Sequence, residues 1–439
     1  MNILRQDVRA NNAPTRGYQF YVLAILLVVY TFNFIDRIVL GILVAPIKLE
    51  LHLSDTELGF LGGTAFALFY TALGVPIGWL ADRLNRVWIM AAALACWSAF
   101  TAGSGLAHSF LQLFVARLGV GVGEAGGVAP AYSLISDYFQ PNQRARALGF
   151  YSLGIPVGSA LGLLFGGYLA VALSWRSAFI VLGIAGILLA PLLIATVKEP
   201  GRSGIDRGPR VIPPSMAQVA RLLGSKPSFW LLSGGAACSS IMGYGLLFWL
   251  PSFFMRSYGL SMVQVSHFYA GLLLIGGVAG IGIGSILADR LGRATRSAYA
   301  LIPAAAFLMI LPCYAYGVFY PPNAFAFAFF LVPTALQLVW LGPVISAIQH
   351  LVPANMRTVA SATFLFINNL LGLGFGSLLL GIASDQLRAR FGAESLRYAI
   401  LGGTGFYVLA GVLFLLAARY LASDWIEQES LPERAGTVV

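Results

Sequence analysis

The sequence predicts an all-α membrane protein of twelve transmembrane helices in two six-helix bundles, and three observations predict it. The 439 residues are 58% hydrophobic and only 10% charged, with a mean hydropathy of +0.81, whereas a soluble domain carries about 25% charged residues. Apolar runs of roughly 20 residues or more recur along the chain, the length a helix needs to cross a bilayer. Two near-copies of one charged segment, GWLADRLNR at Gly78–Arg86 and SILADRLGR at Ser285–Arg293, stand at matching places in the two halves. Such self-similarity marks an internal duplication. The alternating ten-residue segments of a β-barrel do not occur.

Taken in order, the first 17 residues are polar, and the apolar run after them is too long for the core of a cleavable signal. Spans are expected at about 18–47, 57–80, 87–107, 110–139, 143–172 and 176–197 in the first half. In the second half they are expected at about 227–255, 262–288, 297–319, 323–352, 357–384 and 396–422. Residues 198–226, rich in Pro, Gly, Arg and Lys, read as a linker. The domains are therefore a bundle at 1–197, the linker at 198–226, and a bundle with its tail at 227–439. With the N-terminus inside, Lys and Arg on inner segments outnumber those on outer loops by about three to one, which assigns both termini and the linker to the cytoplasm. The net charge of +10 is spread over these short loops. It is a topology signal and does not point to nucleic acid.

Among 27 Lys and Arg and 17 Asp and Glu, only Asp36, Arg37, Arg117 and Glu124 fall deep within spans. An ionisable side chain at that depth costs ~2.5–3.5 kcal/mol or more and usually faces a cavity or a partner. Arg117 and Glu124 belong to RLGVGVGEAGGVAP in span four and are seven residues apart, so a helix puts them on one face. Measured from the outer ends at ~1.5 Å per residue, Arg117 lies ~11 Å down, Asp36 ~16 Å and Glu124 ~21 Å. Adjacent residues on a helix point about 100° apart, so Asp36 and Arg37 cannot share one direction. A salt-bridge network that only fixes packing is the alternative to a proton or substrate site. We favour the latter, since acids near the midplane commonly serve transport.

Gly121, Gly123 and Gly126 satisfy G-x-G-x-x-G, but that dinucleotide fingerprint needs a strand before it and a solvated helix start after it. Mid-span, the small residues instead let helices approach closely. Cys96, Cys238 and Cys313 lie far apart in apolar spans and lack metal-ligand spacing. His52, His108, His267 and His350 fall near span ends or in loops, and no role is assigned to them. The second half has no deep charges. Its cavity-side candidates are Tyr244, Phe248, Trp249, Gln337, Trp340, Asn368 and Asn369, joined in span one by Asn33. Together they suggest a cavity charged on one wall and aromatic or amide-lined on the other.

With its duplicated loops, the chain resembles the major facilitator superfamily over nearly its whole length. Asn85 and Ser285 each replace a usual glycine of the signature loop. The resemblance implies a gating role for Asp82, Arg83 and Arg86, and for Asp289, Arg290 and Arg293, bracing the inner ends of the halves when the protein faces outward. It also matches Arg117, Gly121 and Gly123 to the span-four motif, relates GIPVG at Gly154–Gly158 to an antiporter-type motif, and implies that spans one and four line a central cavity. Asn33–Arg37, Gly121–Ala125 and LISDYFQPNQRARALGFYSLGIPVGS are similar to the Spinster-type branch, in particular its bacterial members. Phe34 stands where that branch usually has Tyr.

The resemblance implies a secondary active transporter that works by alternating access in the bacterial inner membrane as a monomer among membrane lipids. The expected partners are protons and an amphipathic anionic substrate such as a lysolipid or sphingolipid. Glu124 is the preferred proton site, because its flanking glycines leave room and water access; Asp36 is expected to orient Arg37. The alternatives are a broad-specificity drug/proton antiporter and a non-transporting membrane sensor. An enzyme is not expected: neither H-E-x-x-H nor a Walker motif occurs. No cofactor or metal is expected.

Overall fold

The structure, a computed structural model, describes residues 15–81, 83–200, 216–292, 294–320, 326–353 and 356–426. Among these it is helical throughout, without strands. Ten helical stretches are long and apolar enough to cross a membrane. The last of them, Val359–Asp424, runs through two spans, and the fourth span is split into Phe110–Glu124 and Val128–Tyr138, which accounts for twelve crossings. Span one is longer than expected, Arg16–Leu51, as are span seven, Pro227–Tyr258, and span eleven, Arg357–Phe391. Apolar periodicity stops where the bilayer does, while helical hydrogen bonding continues beyond it, so sequence understates these ends.

Polar caps set where the helices begin. Ser54 accepts from the Glu57 amide while the Glu57 side chain accepts from Ser54 N, a capping box that opens span two. Ser261 and Gln264 repeat it at the start of span eight, the equivalent place in the second half. Asn85 accepts from Trp88 N at 3.0 Å and caps span three, Arg86–Ser104; such a cap stabilises by about 1 kcal/mol. The residue that departs from the family's glycine therefore has a local task.

The side carrying Arg16 and Asp424 is here called terminal, and the opposite side distal. On the distal side the two bundles meet in close helix crossings. A Cβ on Gly59 or Gly63 of span two would stand 2.4 Å from the Ser377 or Leu373 carbonyl oxygen of span eleven. Ser377 Oγ donates to Gly59 O at 2.7 Å, and Thr64 Oγ1 donates to Gly374 O. Spans five and eight pair likewise, with Gly167 against Ser266. Small residues let these backbones touch, the means of association left to helices in lipid.

Charges complete the distal seal. Asp55, at the start of span two, accepts from Arg256 Nη1 at 2.7 Å and Nη2 at 2.9 Å, from Ser384 Oγ at 2.7 Å, and from Lys48. Asp385 of span eleven caps the same helix end, accepting from the Thr56 amide and hydroxyl, each at 2.7 Å. A carboxylate there also complements the helix dipole. These bonds all lie distal to the level of Arg37.

Candidate functional site

Span four breaks at Ala125–Gly127, directly after Glu124. The preceding glycines are consumed by packing: a Cβ on Gly121 would stand 2.5 Å from Phe66 O, and one on Gly123 2.5 Å from Trp97 N. With no strand among the described residues, the nucleotide reading of this motif fails and the packing reading holds. That packing presses the start of span four against spans two and three and brings its two charges to span one.

There Arg37 Nε donates to Glu124 Oε2 at 2.6 Å. The guanidinium carbon lies 5.1, 4.9 and 4.7 Å from the ring centres of Phe34, Phe66 and Tyr70, a cage that favours a cation. Arg117, 2% exposed, donates over 3.4 Å to the carbonyl oxygens of Leu61 and Asp36. The four charges therefore do gather, but not as sequence suggested in two respects. Glu124 has no water access, being fully buried, because the glycines that should have left room are filled by neighbouring backbone. Asp36 does not orient Arg37: it points across the helix toward Trp97 and Thr101 of span three, as the 100° step requires.

Orphaned polar atoms collect here. Both Asp36 oxygens, both Asn33 amide atoms, Glu124 Oε1, Arg37 Nη2, Trp97 Nε1 and Thr101 Oγ1 are buried without a hydrogen bond of good geometry, although Asp36 faces Trp97 and Thr101 and Glu124 faces Asn33. Such groups are rare in a packed interior. They concentrate around the Arg37–Glu124 ion pair.

A cavity of about 40 Å³ lies between the halves, lined by Arg37, Arg117, Phe34 and Phe66 on one side and by Tyr244 and Phe248 on the other. It has room for a few waters. The expected division into a charged and an aromatic wall holds in part, since Phe34 and Phe66 put aromatics on the charged wall too. Of the other candidates, Trp249 is corrected: its indole N–H donates to Ser377 O inside the second bundle, and the side chain is fully buried away from the cavity. Asn368 accepts from Ser240 at 2.8 Å, Gln337 accepts from Tyr407 at 3.0 Å, and Trp340 packs edge-on against Phe364. These three serve packing between helices. Asn369 is half-buried.

At the gating loops, Arg83 stacks on Trp79, and Arg86 binds Asp137 of the first bundle at 2.5 Å and Glu199 at the start of the linker at 2.7 Å. Asp289 and Arg290 are exposed. Asp82 and Arg293 lie outside the described residues. The distal cluster of Lys48, Asp55, Arg256 and Asp385 was missed by sequence reasoning. Its one signal was the capping-box pattern at Ser54–Glu57, which located a helix start and could not show which acid from the other half would reach it.

Residues 26–377 match the family model of the Major Facilitator Superfamily. The chain belongs to that superfamily. This major facilitator protein is 34% identical over 424 residues to an MFS-type efflux pump of Mycolicibacterium smegmatis, a match covering 96% of the chain and 97% of the relative. It is 29% identical over 438 residues to protein spinster homolog 1 of Homo sapiens, covering 93% and 82%. A solved bacterial homolog of the human lysosomal transporter Spinster, inward-facing and unoccupied, superposes with a TM-score of 0.86 at 30% identity, over 94% of this chain and all of that one. The occupied form of that homolog gives 0.83. This is a multi-pass membrane transporter of Spinster type and not an enzyme.

Proposed function

We propose that this transporter works by alternating access, couples to protons, and moves an amphipathic organic anion of the lysolipid or sphingolipid kind. The observation that carries the reading is the Arg37–Glu124 pair at the edge of the inter-half cavity, caged by aromatic rings. A proton on Glu124 removes the charge that holds Arg37 and frees the guanidinium for an anionic headgroup. Deprotonation restores the pair and expels the headgroup, so proton and substrate binding are linked. The rings of Phe34, Phe66, Tyr244 and Phe248 offer apolar surface to the adjoining tail. The present cavity is too small for such a molecule, and the bundles must part for it to enter.

The basic bias of the sequence places the terminal side in the cytoplasm. The sealed distal side is then external, and this state faces inward. In the opposite state Asp82, with Arg83 and Arg86 and their counterparts Asp289, Arg290 and Arg293, would brace the terminal ends.

The test is uptake into proteoliposomes with an imposed pH gradient, beside a binding assay on the same variants. Glu124→Gln, which mimics the protonated acid, should keep substrate binding and lose the pH dependence of transport. Arg37→Ala should abolish binding of the anion. An unaltered pH profile in Glu124→Gln would make Glu124 structural. A second reading, export of chemically varied amphipaths in exchange for protons, is favoured by the similarity to the M. smegmatis efflux pump; equal binding of unrelated dyes would support it.

A further inference from the structure

A second cavity, of about 400 Å³, opens on the terminal side between the first turns of span one and of span five, far from the Arg37 site. Its two walls carry the same three residue types, an arginine, a glutamine and a phenylalanine. Span one contributes Arg16, Gln19 and Phe20; span five contributes Gln143, Arg146 and Phe150. Residues three and four apart share a helix face, so each wall is a continuous stripe. Both spans enter the bilayer from the same side, so the stripes run in parallel. In each, the ring lies four residues beyond the arginine, or ~6 Å deeper along the axis.

The groove is thus polar and cationic at its mouth and aromatic below, in register with the headgroup and acyl layers of the leaflet beside it. Arg16 and Arg146 are both exposed; among the described residues neither is engaged by an acid or by any other hydrogen-bond partner, and none that lines the groove is an acid. Phe20 is 64% and Phe150 44% exposed, and Phe20 is held edge-on against Phe139 at 6.3 Å. Topology alone asks only for basic residues somewhere on this side. It does not ask for two arginines facing one cleft with a ring beneath each.

We propose that this groove is a binding site for an anionic phospholipid of the terminal-side leaflet, its phosphate held between Arg16 and Arg146 and the start of its acyl chain laid over Phe20 and Phe150. Arginine pairs bind phosphate oxygens through directed N–H groups, and basic pockets between spans take anionic headgroups. The glutamines add donors for the glycerol or headgroup oxygens. The site is distinct from the proposed transport site, and its occupant is a resident lipid.

The experiment is native mass spectrometry of the full-length protein in detergent, titrated with phosphatidylglycerol or phosphatidylcholine of equal chain length. The wild type should retain one phosphatidylglycerol in preference to phosphatidylcholine. The double variant Arg16→Ala/Arg146→Ala should bind that molecule about tenfold more weakly or worse. Arg221→Ala, which removes an exposed charge elsewhere on the same side, should leave it in place, and Arg16→Lys/Arg146→Lys should recover part of the loss. Equal retention of the two lipids, or an equal loss with Arg221→Ala, would overturn the proposal in favour of diffuse charge. Displacement by soluble glycerol phosphate at the same concentration would overturn the role of the rings and with it the lipid.

Discussion

Arg256 of the second bundle grips both carboxylate oxygens of Asp55 in the first, at 2.7 and 2.9 Å. The pair crosses the boundary between the halves at the mouth of the distal side, where Lys48 and Ser384 share the same carboxylate. Any state that opens this side must break the grip. A charge-assisted hydrogen bond contributes about 1.5–3 kcal/mol, and each 1.4 kcal/mol is a factor of ten in a population ratio.

Arg256→Ala should therefore raise the fraction of distally open molecules by about tenfold or more. Asp55 keeps Lys48 from its own bundle, so the fold should survive. Spin labels at His52 and Arg388, one on each bundle, would report the change as a growing long-distance component. An unaltered distance distribution would leave the pair without a gating role.

The glycine crossing makes a steric counterpart. Gly59→Ala places a Cβ 2.4 Å from Ser377 O, and a backbone atom cannot swing aside. The sealed state should lose stability relative to the open one, with the same labels reporting it. Gly74→Ala, whose Cβ would meet nothing within 4 Å, should be neutral or stabilise by up to about 1 kcal/mol, because alanine is the better helix former. Like behaviour of the two variants would refute the wedge.

Orientation is open to a direct check. A cysteine at Gly204, in the linker and outside the described residues, should resist an impermeant thiol reagent applied to intact cells in a cysteine-free background. Ready labelling would reverse the assignment of the sides and with it the inward-facing reading.

Asp82→Asn should weaken the outward-facing state and leave the sealed distal state intact. Arg83 and Arg86 are already committed here to partners in the first bundle and at the start of the linker, none of them in the second bundle, which fits a brace that is disengaged in this state. Distances across the terminal mouth, measured with substrate present, would shift toward the inward-facing population. No shift would reduce the loop to a topology signal.

The sequence by itself determined the twelve spans, the duplication, and the four charges at membrane depth, Asp36, Arg37, Arg117 and Glu124; that they gather was implied by the resemblance, which puts spans one and four beside one cavity. The first three follow from one-dimensional facts: bilayer thickness sets the length of an apolar run, repetition is visible in letters, and a charge stands out in an apolar run. Only the tertiary structure decided which acid Arg37 holds, that Asp36 turns to span three instead, and that Glu124 is shut off from water by the glycines that promised it room. The same holds for the distal seal, where Asp55 and Arg256 stand 201 residues apart, and for Trp249, which reads as a cavity residue and packs elsewhere. A helix's composition says how much of its surface is small or polar. Which neighbour fills that surface depends on the rotation and crossing of helices, set by packing between segments distant in the chain.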